Sequence, residues 1–261
     1  MKILVCVKQV PDTTEIKIDP VTNTLIRTGV PSILNPFDAY AVEQALRLKE
    51  QTGGHVTAVT MGLPQAGEIL RQALAMGADD AYLVTDRPFG GSDTLATSYI
   101  LAAAARKLGP FDVIFCGKQA IDGDTGQVGP EMAEHLNLAQ VTYVSQVKAE
   151  GETLEVIREG GSHREILRVK TPVVLTVVKN EQEPRFETIR NRLAANRYEL
   201  GILNRASLPV EDDRIGLKGS ATRVKRTFTP ERHAECVWID GETPKERAHA
   251  LIDALNRAHV I

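Results

Sequence analysis

The residues best suited to chemistry lie in a glycine-rich stretch at 117–130, Gly-Lys-Gln-Ala-Ile-Asp-Gly-Asp-Thr-Gly-Gln-Val-Gly-Pro. Its glycines permit positive φ and close approach of the backbone to a ligand, and Thr125 adds a hydroxyl. A helix predicted at about 129–136 would present N–H groups and a positive dipole end to the same place. The stretch therefore predicts a site for a nucleotide phosphate. The alternative is an ordinary strand-to-helix loop, with Asp122 and Asp124 as turn formers and Thr125 as a cap.

A second glycine-rich turn, at 89–94, also precedes a predicted helix. Gly90 and Gly91 would let another ligand approach the backbone, while Ser92 or Asp93 could cap the helix. A plain helix cap is the simpler interpretation of this turn.

Two further positions lie close to where such a ligand would pass. Asn35 precedes Pro36 at the start of a predicted helix, where Asp38 would be the N-cap and Asn35 could reach a base or ribose. An ordinary Asn-Pro turn is the alternative. Lys8 and Gln9 follow the first predicted strand, and each alone is a weak indication.

Composition excludes several classes of function. The chain has 261 residues, a formal net charge of -3 and 43% hydrophobic residues, which is typical of a globular protein and not of a nucleic-acid-binding domain. Its 3 cysteines form no C-x-x-C pair and its 6 histidines show no metal-ligand spacing, so we expect no metal site. No apolar run is long enough for a membrane helix or a signal peptide, so we expect a cytoplasmic protein without membrane insertion. No hydrolytic triad and no G-x-G-x-x-G fingerprint is present.

The elements that must position these residues alternate between strand and helix. This alternation predicts an α/β fold, a Rossmann-like, mostly parallel sheet with helices on both faces and ligands beyond the carboxyl ends of the strands. The predicted strands are 2–7, 56–61, 81–85 and 112–116, and the predicted helices are 38–50, 65–76 and 92–108.

The pattern changes after residue 140. Extended runs at 141–147, 153–158, 164–170 and 173–178 predict an antiparallel addition to the sheet. Residues 181–217 have weak periodicity, so we expect either an arm laid on a partner surface or a loosely ordered tail. An amphipathic helix at 243–258 ends the chain. We predict a nucleotide- or flavin-binding domain at 1–205 and, at 206–261, a C-terminal arm and helix that pack on a partner subunit.

Taken together, these residues resemble the small (beta) subunit of electron transfer flavoproteins over essentially the whole chain. The resemblance rests on the opening Val5-Cys-Val-Lys-Gln-Val-Pro-Asp12, on Asn35-Pro-Phe-Asp38, on residues 73–79, on Gly117-Lys-Gln-Ala-Ile-Asp122 and on the region 156–177. One departure is Thr171-Pro172, where the family commonly has Leu-Pro. The family shares the adenine nucleotide alpha hydrolase-like form of the fold.

The family has two functional classes. In the simple class the small subunit binds a structural AMP, and the single redox FAD belongs mostly to the large (alpha) subunit. In the electron-bifurcating class that site takes the ADP half of a second FAD, which accepts hydride from NADH. The stretches 122–129, 24–32, 89–98 and 216–222 resemble the bifurcating class, with Ala221 where Pro is usual.

The resemblance implies a set of cofactor-binding residues. They surround the adenosine or hold ribose and pyrophosphate: Cys6, Lys8, Asn35, Met61, Gly117, Asp122, Gly123, Asp124, Thr125, Gly126, Gln127 and Val128. A second set would line the NADH approach: Gly90, Gly91, Asp93, Thr94 and Thr97. Ile189 would be the apolar tip of a loop that docks on an acyl-CoA dehydrogenase.

The bifurcating class is the function we expect. One electron from NADH would pass to the large-subunit FAD and an acyl-CoA-type dehydrogenase, and the other to ferredoxin or flavodoxin, with the flavin doing the redox chemistry. A non-bifurcating subunit with AMP is one alternative. An ATP-binding α/β enzyme or stress-type module that shares only the architecture is another.

Overall fold

The computed structural model of the chain describes residues 1–12, 31–225 and 236–261. It divides into two compact units, Met1–Lys225 and Arg226–Ile261. Residues 24–30, part of one stretch that resembles the bifurcating class, lie outside the described residues. Within the described ranges, no helix is both long and apolar enough to cross a membrane.

The first unit is an α/β domain, as predicted. Its strands are β1 (Lys2–Cys6), β2 (Gln9–Pro11), β3 (Ser32–Leu34), β4 (His55–Met61), β5 (Asp80–Val84), β6 (Val113–Gly117), β7 (Ala139–Glu150), β8 (Thr153–Glu159), β9 (Arg164–Lys170), β10 (Val173–Val177) and β11 (Gly201–Leu203). Its helices are α1 (Pro36–Thr52), α2 (Gly67–Met76), α3 (Thr94–Leu108), α4 (Val128–Leu136), α5 (Ile189–Arg197) and α6 (Gly216–Gly219).

The main sheet has the strand order β11-β5-β4-β1-β6-β10-β7-β8-β9, and β2 pairs with β3 in a small separate sheet. The central strands are apolar and buried because helices cover both faces. Helices α1 and α2 pack in one core with Ile3 and Phe115, while α3 and α4 pack in the other with Leu4 and Ile114.

Strands β1 and β6 pair in parallel at the centre of the sheet, with Cys6 opposite Cys116. The chain leaves β1 toward α1 on one face and leaves β6 toward α4 on the other. The strand order therefore reverses between these two strands, and their diverging loops open a crevice beyond the carboxyl ends.

The antiparallel addition is shorter than the sequence pattern indicated. Strand β8 pairs antiparallel with both β7 and β9, but β10 pairs in parallel with both β6 and β7. The prediction for residues 173–178 was therefore wrong in direction. A continuous apolar strand such as β10, buried along its whole length, is typical of the parallel interior.

The expectation of an arm or tail at 181–217 was also wrong, because these residues belong to the first unit. Helix α5 packs on α2, and β11 adds an edge strand in parallel with β5. Arg71 donates from Nη1 to the carbonyls of Ala195 and Tyr198, at 2.7 and 3.0 Å. The weak periodicity reflects a short polar helix with a single buried residue.

The second unit contains helix α7 (Pro244–Arg257). It begins with a capping box in which the Thr243 hydroxyl and the Glu246 carboxylate each accept from the other residue's backbone amide. Leu251 and Ile252 lie half exposed on this helix.

Candidate functional site

The turn after β6, residues 118–129, stands open at the carboxyl edge of the sheet, and we call it the open turn. Asp124 has φ 50° and Gly126 has φ 64°, so the chain reverses tightly just before α4. No partner within the described chain is found for the backbone N–H groups of Thr125, Gly126, Gln127, Val128 and Gly129. Consecutive unpaired amides at a helix start form an anion-binding cradle.

Side chains from both walls of the crevice hold the open turn. Lys8 contacts Asp122 across the crevice, with Nζ 2.7 Å from Oδ1. Within the turn, Gln119 Nε2 donates to Asp124 Oδ1 at 2.6 Å, which steadies the residue with positive φ. The turn is therefore fixed at its beginning and open at its end.

Asn35 supports the turn from below. Its side chain is buried; Nδ2 donates to the carbonyl of Gln119 at 2.9 Å, and Oδ1 accepts from the amide of Ile121 at 3.2 Å. Because both ends of the amide are engaged with backbone, Asn35 shapes the turn in this structure and does not extend toward the crevice.

Asp38 was predicted as the N-cap of α1, and this was wrong. Asn35 occupies the cap position, and Asp38 lies in the first turn of the helix. The Asp38 carboxylate accepts from the amide of Lys8 at 2.7 Å and from the amide of Gly117 at 3.1 Å. Burial raises the pKa of Asp38 to about 7, against hydrogen bonds from Asn35, Lys8 and Gly117 that lower it.

The floor of the crevice is apolar and sulfur-rich. Cys6 is buried, with Sγ 3.9 Å from Sδ of Met132, and Met61 packs half-buried against the same core. Hydrogen bonding with Cys116, together with burial, raises the pKa of Cys6 well above its ordinary value. A protonated, buried thiol packs as a small hydrophobe and does not act as a nucleophile.

The start of α4 has backbone features that suit a phosphate group. The unpaired amides of residues 125–129 follow one another where α4 begins, and Gly129 lies so close to β10 that a Cβ atom would collide with Thr176. Helix α4 therefore starts near the sheet and points its positive end along the crevice.

The turn at 89–94 is arranged differently, and we call it the covered turn. Asp93 caps α3 through Ala96, as predicted, and its Oδ2 also accepts from the amide and hydroxyl of Thr222 at 2.8 and 3.0 Å. Ser92 Oγ accepts from the amide of Gly216 at 3.1 Å, and the backbone at Gly91 passes beneath Leu217.

Burial alone would raise the pKa of Asp93, but hydrogen bonds from Ala96, Thr222 and Ala221 hold it below its ordinary value. Of the residues predicted to line an NADH approach, Asp93 and Gly91 are engaged with the chain's own segment 216–222 and Gly90 is exposed beside them. Thr94 instead reaches the open turn, donating to Gln127 Oε1 at 2.8 Å. Thr97 lies one helical turn further along α3.

Ile189, the predicted docking residue, is the first residue of α5 and is 83% exposed. Phe186 is 95% exposed beside it. The segment is anchored by Arg185, whose Nε lies 2.8 Å from Glu43 and whose Nη1 lies 2.5 Å from Glu50, both on α1. Two exposed apolar side chains, Phe186 and Ile189, therefore follow a residue that is fixed to α1 by ion pairs.

Sequence reasoning missed the supporting residues. The supporting roles of Gln119 and Asp38 were not anticipated, nor was that of Glu131, whose Oε1 lies 3.3 Å from the Thr94 hydroxyl. The only available signal was the pattern Asn-Pro-x-Asp at a helix start, which places an acid in the first turn of a helix.

Comparison with known proteins gives a consistent result. Residues 22–207 match the family described as electron transfer flavoprotein domain. The chain is 51% identical over 262 residues to the electron transfer flavoprotein subunit beta of Thermoanaerobacterium thermosaccharolyticum, with all of both chains covered. It is 46% identical to the caffeyl-CoA reductase-Etf complex subunit CarD of Acetobacterium woodii, again with all of both chains covered.

A third relative is the protein FixA of Azorhizobium caulinodans, 47% identical over 97% of this chain and 92% of that protein. The family match spans more than half of the chain and the identities extend through both units. The chain therefore belongs to the electron transfer flavoprotein family, as a beta subunit.

Proposed function

We propose that this chain is the small subunit of a heterodimeric electron transfer flavoprotein and holds a dinucleotide in the crevice between β1 and β6. The row of unpaired amides at residues 125–129 is the observation that carries this proposal. Electron transfer is the role of the family to which the chain belongs, and the crevice lies where doubly wound sheets bind ligands.

The nucleotide is FAD in this proposal. The amides of 125–129 would hold its pyrophosphate, and Cys6 and Met61 would form an apolar floor for its adenosine. Lys8 and Asp122 would flank it. When bound, the flavin supplies the redox chemistry by accepting hydride from NADH and releasing electrons singly.

The bifurcating class is the finer part of the proposal. It is supported by the resemblance of residues 122–129 to that class. NADH is then the donor, approaching past Thr94 and Thr97, and ferredoxin or flavodoxin is the low-potential acceptor. AMP would fit the same crevice, because its phosphate would satisfy the same amides. Finding AMP there would indicate the simple class.

Partner contacts complete the proposal. Ile189, with Phe186, would dock an acyl-CoA-type dehydrogenase, since both side chains are apolar, exposed and braced by Arg185. Leu251 and Ile252 of α7 would pack on the large subunit. The FAD of that subunit would receive the high-potential electron.

The test is to purify the co-expressed heterodimer, release and count its nucleotides, and add NADH without oxygen. We expect two FAD per heterodimer and bleaching of the flavin absorbance. One FAD, one AMP and no bleaching would contradict the bifurcating class, and bound ATP without flavin would contradict the family role.

A variant assigns one of the two flavins to this chain. Gly129→Val pushes α4 off Thr176 and should remove one FAD per heterodimer while the other remains. Gly151→Val is the control for lost stability alone, because that glycine, in the β7–β8 turn, has open space around its Cβ position but φ 59°, so valine adds backbone strain outside the crevice. Retention of both flavins in Gly129→Val would place the second flavin elsewhere.

A further inference from the structure

The two walls of the crevice are joined by one buried carboxylate. Asp38 reaches from α1 with Oδ2 on the amide of Lys8, just after β1, and Oδ1 on the amide of Gly117, at the end of β6. Asp38 is buried, with 6% of the residue exposed. Asn35 also links the two walls, with its backbone amide on the Lys8 carbonyl at 2.9 Å and its side chain on Gln119 and Ile121, but it meets the β6 side beyond the end of the strand, whereas Asp38 bonds Gly117 within β6.

We propose that Asp38 is a positioning residue that holds the ends of β1 and β6 at the spacing a bound nucleotide requires. The inference rests on the proposed function, because it assumes that a nucleotide occupies this crevice. Asp38 itself need not touch the ligand. It acts through Lys8, which meets Asp122 of the open turn, and through Gly117, where that turn begins.

The ionised form of Asp38 is the form that bonds both walls fully. A carboxylate accepts with both oxygens, whereas a protonated carboxyl has one oxygen that carries a proton and accepts weakly. The titratable and charged groups that face it are Cys6 and Lys8 from the β1 side and Cys116, which contacts Cys6, from β6. Lys8 is partly neutralised by Asp122.

Because burial raises the pKa of Asp38 to about 7, both of its oxygens become full acceptors for the two amides only as pH rises through neutrality. The surroundings of Gly117, on the opposite wall, show how closely Asp38 approaches the end of β6. A Cβ atom there would collide with the Asp38 carboxylate and with the backbone of Phe37. The close approach of Asp38 therefore requires glycine at position 117.

The first arm of the test measures hydrogen exchange of individual amides in the nucleotide-stripped heterodimer at pH 8. Asp38→Asn should speed exchange at Lys8 and Gly117 about tenfold, because a charge-assisted acceptor is lost. The control is Glu43→Gln, which removes another buried carboxylate of α1 that bonds Arg47 and Arg185, away from the crevice. Equal exchange in Asp38→Asn and wild type overturns the inference.

The second arm titrates AMP and FAD into the same proteins at pH 6 and pH 8. Wild type should bind about tenfold more tightly at pH 8, following the ionised fraction of Asp38. Asp38→Asn should bind weakly at both pH values, and Glu43→Gln should behave as wild type. Gly117→Ala, which displaces Asp38 from the other wall, should match Asp38→Asn.

The outcomes distinguish failure of the proposed function from failure of the inference about Asp38. If wild type binds neither AMP nor FAD, the proposed function fails, whatever the exchange shows. If wild type binds and Asp38→Asn exchanges faster with unchanged affinity at both pH values, Asp38 is structural only and the inference fails.

Discussion

The open turn and the covered turn are built from similar residues, but only the covered turn is bonded by another segment of the chain. Each follows a buried parallel strand, contains adjacent glycines or glycines with small polar neighbours, and leads into a helix. The open turn leaves the amides of 125–129 unpaired, whereas the covered turn is closed by bonds to 216–222. Similar glycine-rich turns therefore differ in whether their backbone amides remain available to a ligand.

The aspartates behind the two turns differ in the same way. Asp38, beneath the open turn, is buried with two backbone donors, and its pKa is raised to about 7. Asp93, in the covered turn, receives bonds from Ala96 and from both the amide and hydroxyl of Thr222, and its pKa is lowered. One turn rests on a carboxyl that titrates near neutrality, and the other on a stable carboxylate.

The largest expected effect is a difference in how the two aspartates change the free energy of unfolding with pH. Since the pKa of Asp38 is 3.8 ordinarily and about 7 in the fold, it favours the folded chain at acid pH and loses that contribution as pH rises from 3.8 to 7. Between pH 4.5 and pH 8, Asp38→Asn should therefore gain about 3 kcal/mol of stability relative to wild type. Urea unfolding of the chain at pH 4.5 and pH 8 measures the difference.

Asp93→Asn is the matched control for this measurement. A lowered pKa contributes stability above the ordinary value, which is lost only as pH falls through the folded value. Its cost should therefore stay constant between pH 4.5 and pH 8. A similar pH dependence in both variants would contradict the contrast between the two aspartates.

The next effect tests how firmly the covered turn is closed. Gly216 has φ 59°, and a Cβ atom there would collide with the carbonyl of Pro88. Gly216→Ala should lower the free energy of unfolding by about 3 kcal/mol, through strain and overpacking together. In Gly53→Ala, with φ 66° and open space, strain acts alone, and the loss should be about 1 kcal/mol. Equal losses would mean that segment 216–222 does not press on the turn.

Removal of the Asp93 carboxylate should have a smaller effect. Asp93→Ala loses the cap of α3 and the bonds to Thr222, at a cost of about 2 kcal/mol in the free energy of unfolding. Exchange of the Thr222 amide should quicken, while affinity for FAD stays at the wild-type value. Weaker FAD binding would show that the covered turn belongs to the nucleotide site.

The smallest stability change tests the open turn. Gly126→Ala places a side chain at φ 64° and should cost about 1 kcal/mol, as should Gly151→Ala at φ 59°. Only Gly126→Ala distorts the row of unpaired amides, so it alone should weaken nucleotide binding, by about tenfold. Equal binding in the two variants would remove the amides of this turn from the site.

The sequence predicted much of the fold and the position of the open turn. Long apolar strands and periodic helices carry strong signals, so the alternation from β1 to α4 was anticipated with small shifts at the ends. Helix α5 and strand β11 were missed because they are short, and their contacts depend on Arg71 and neighbouring elements. The direction of β10 was predicted wrongly because the preceding runs β7 to β9 are antiparallel, although the continuous apolar sequence of β10 is typical of a parallel strand.

The closure of the covered turn could not be predicted from local sequence. Asp93 and Ser220 are 127 residues apart, and nothing at 89–94 indicates that a distant segment will bond to it. Asp38 was missed for a related reason. Its first-turn position is visible in the sequence, but its bonds to the ends of two strands arise only when β1 and β6 pair.

Amide hydrogen exchange of the nucleotide-stripped heterodimer, before and after addition of FAD, tests the central contrast most directly. We expect new protection at the amides of 125–129 and no change at 90–93. Protection at 90–93 with none at 125–129 would contradict this expectation.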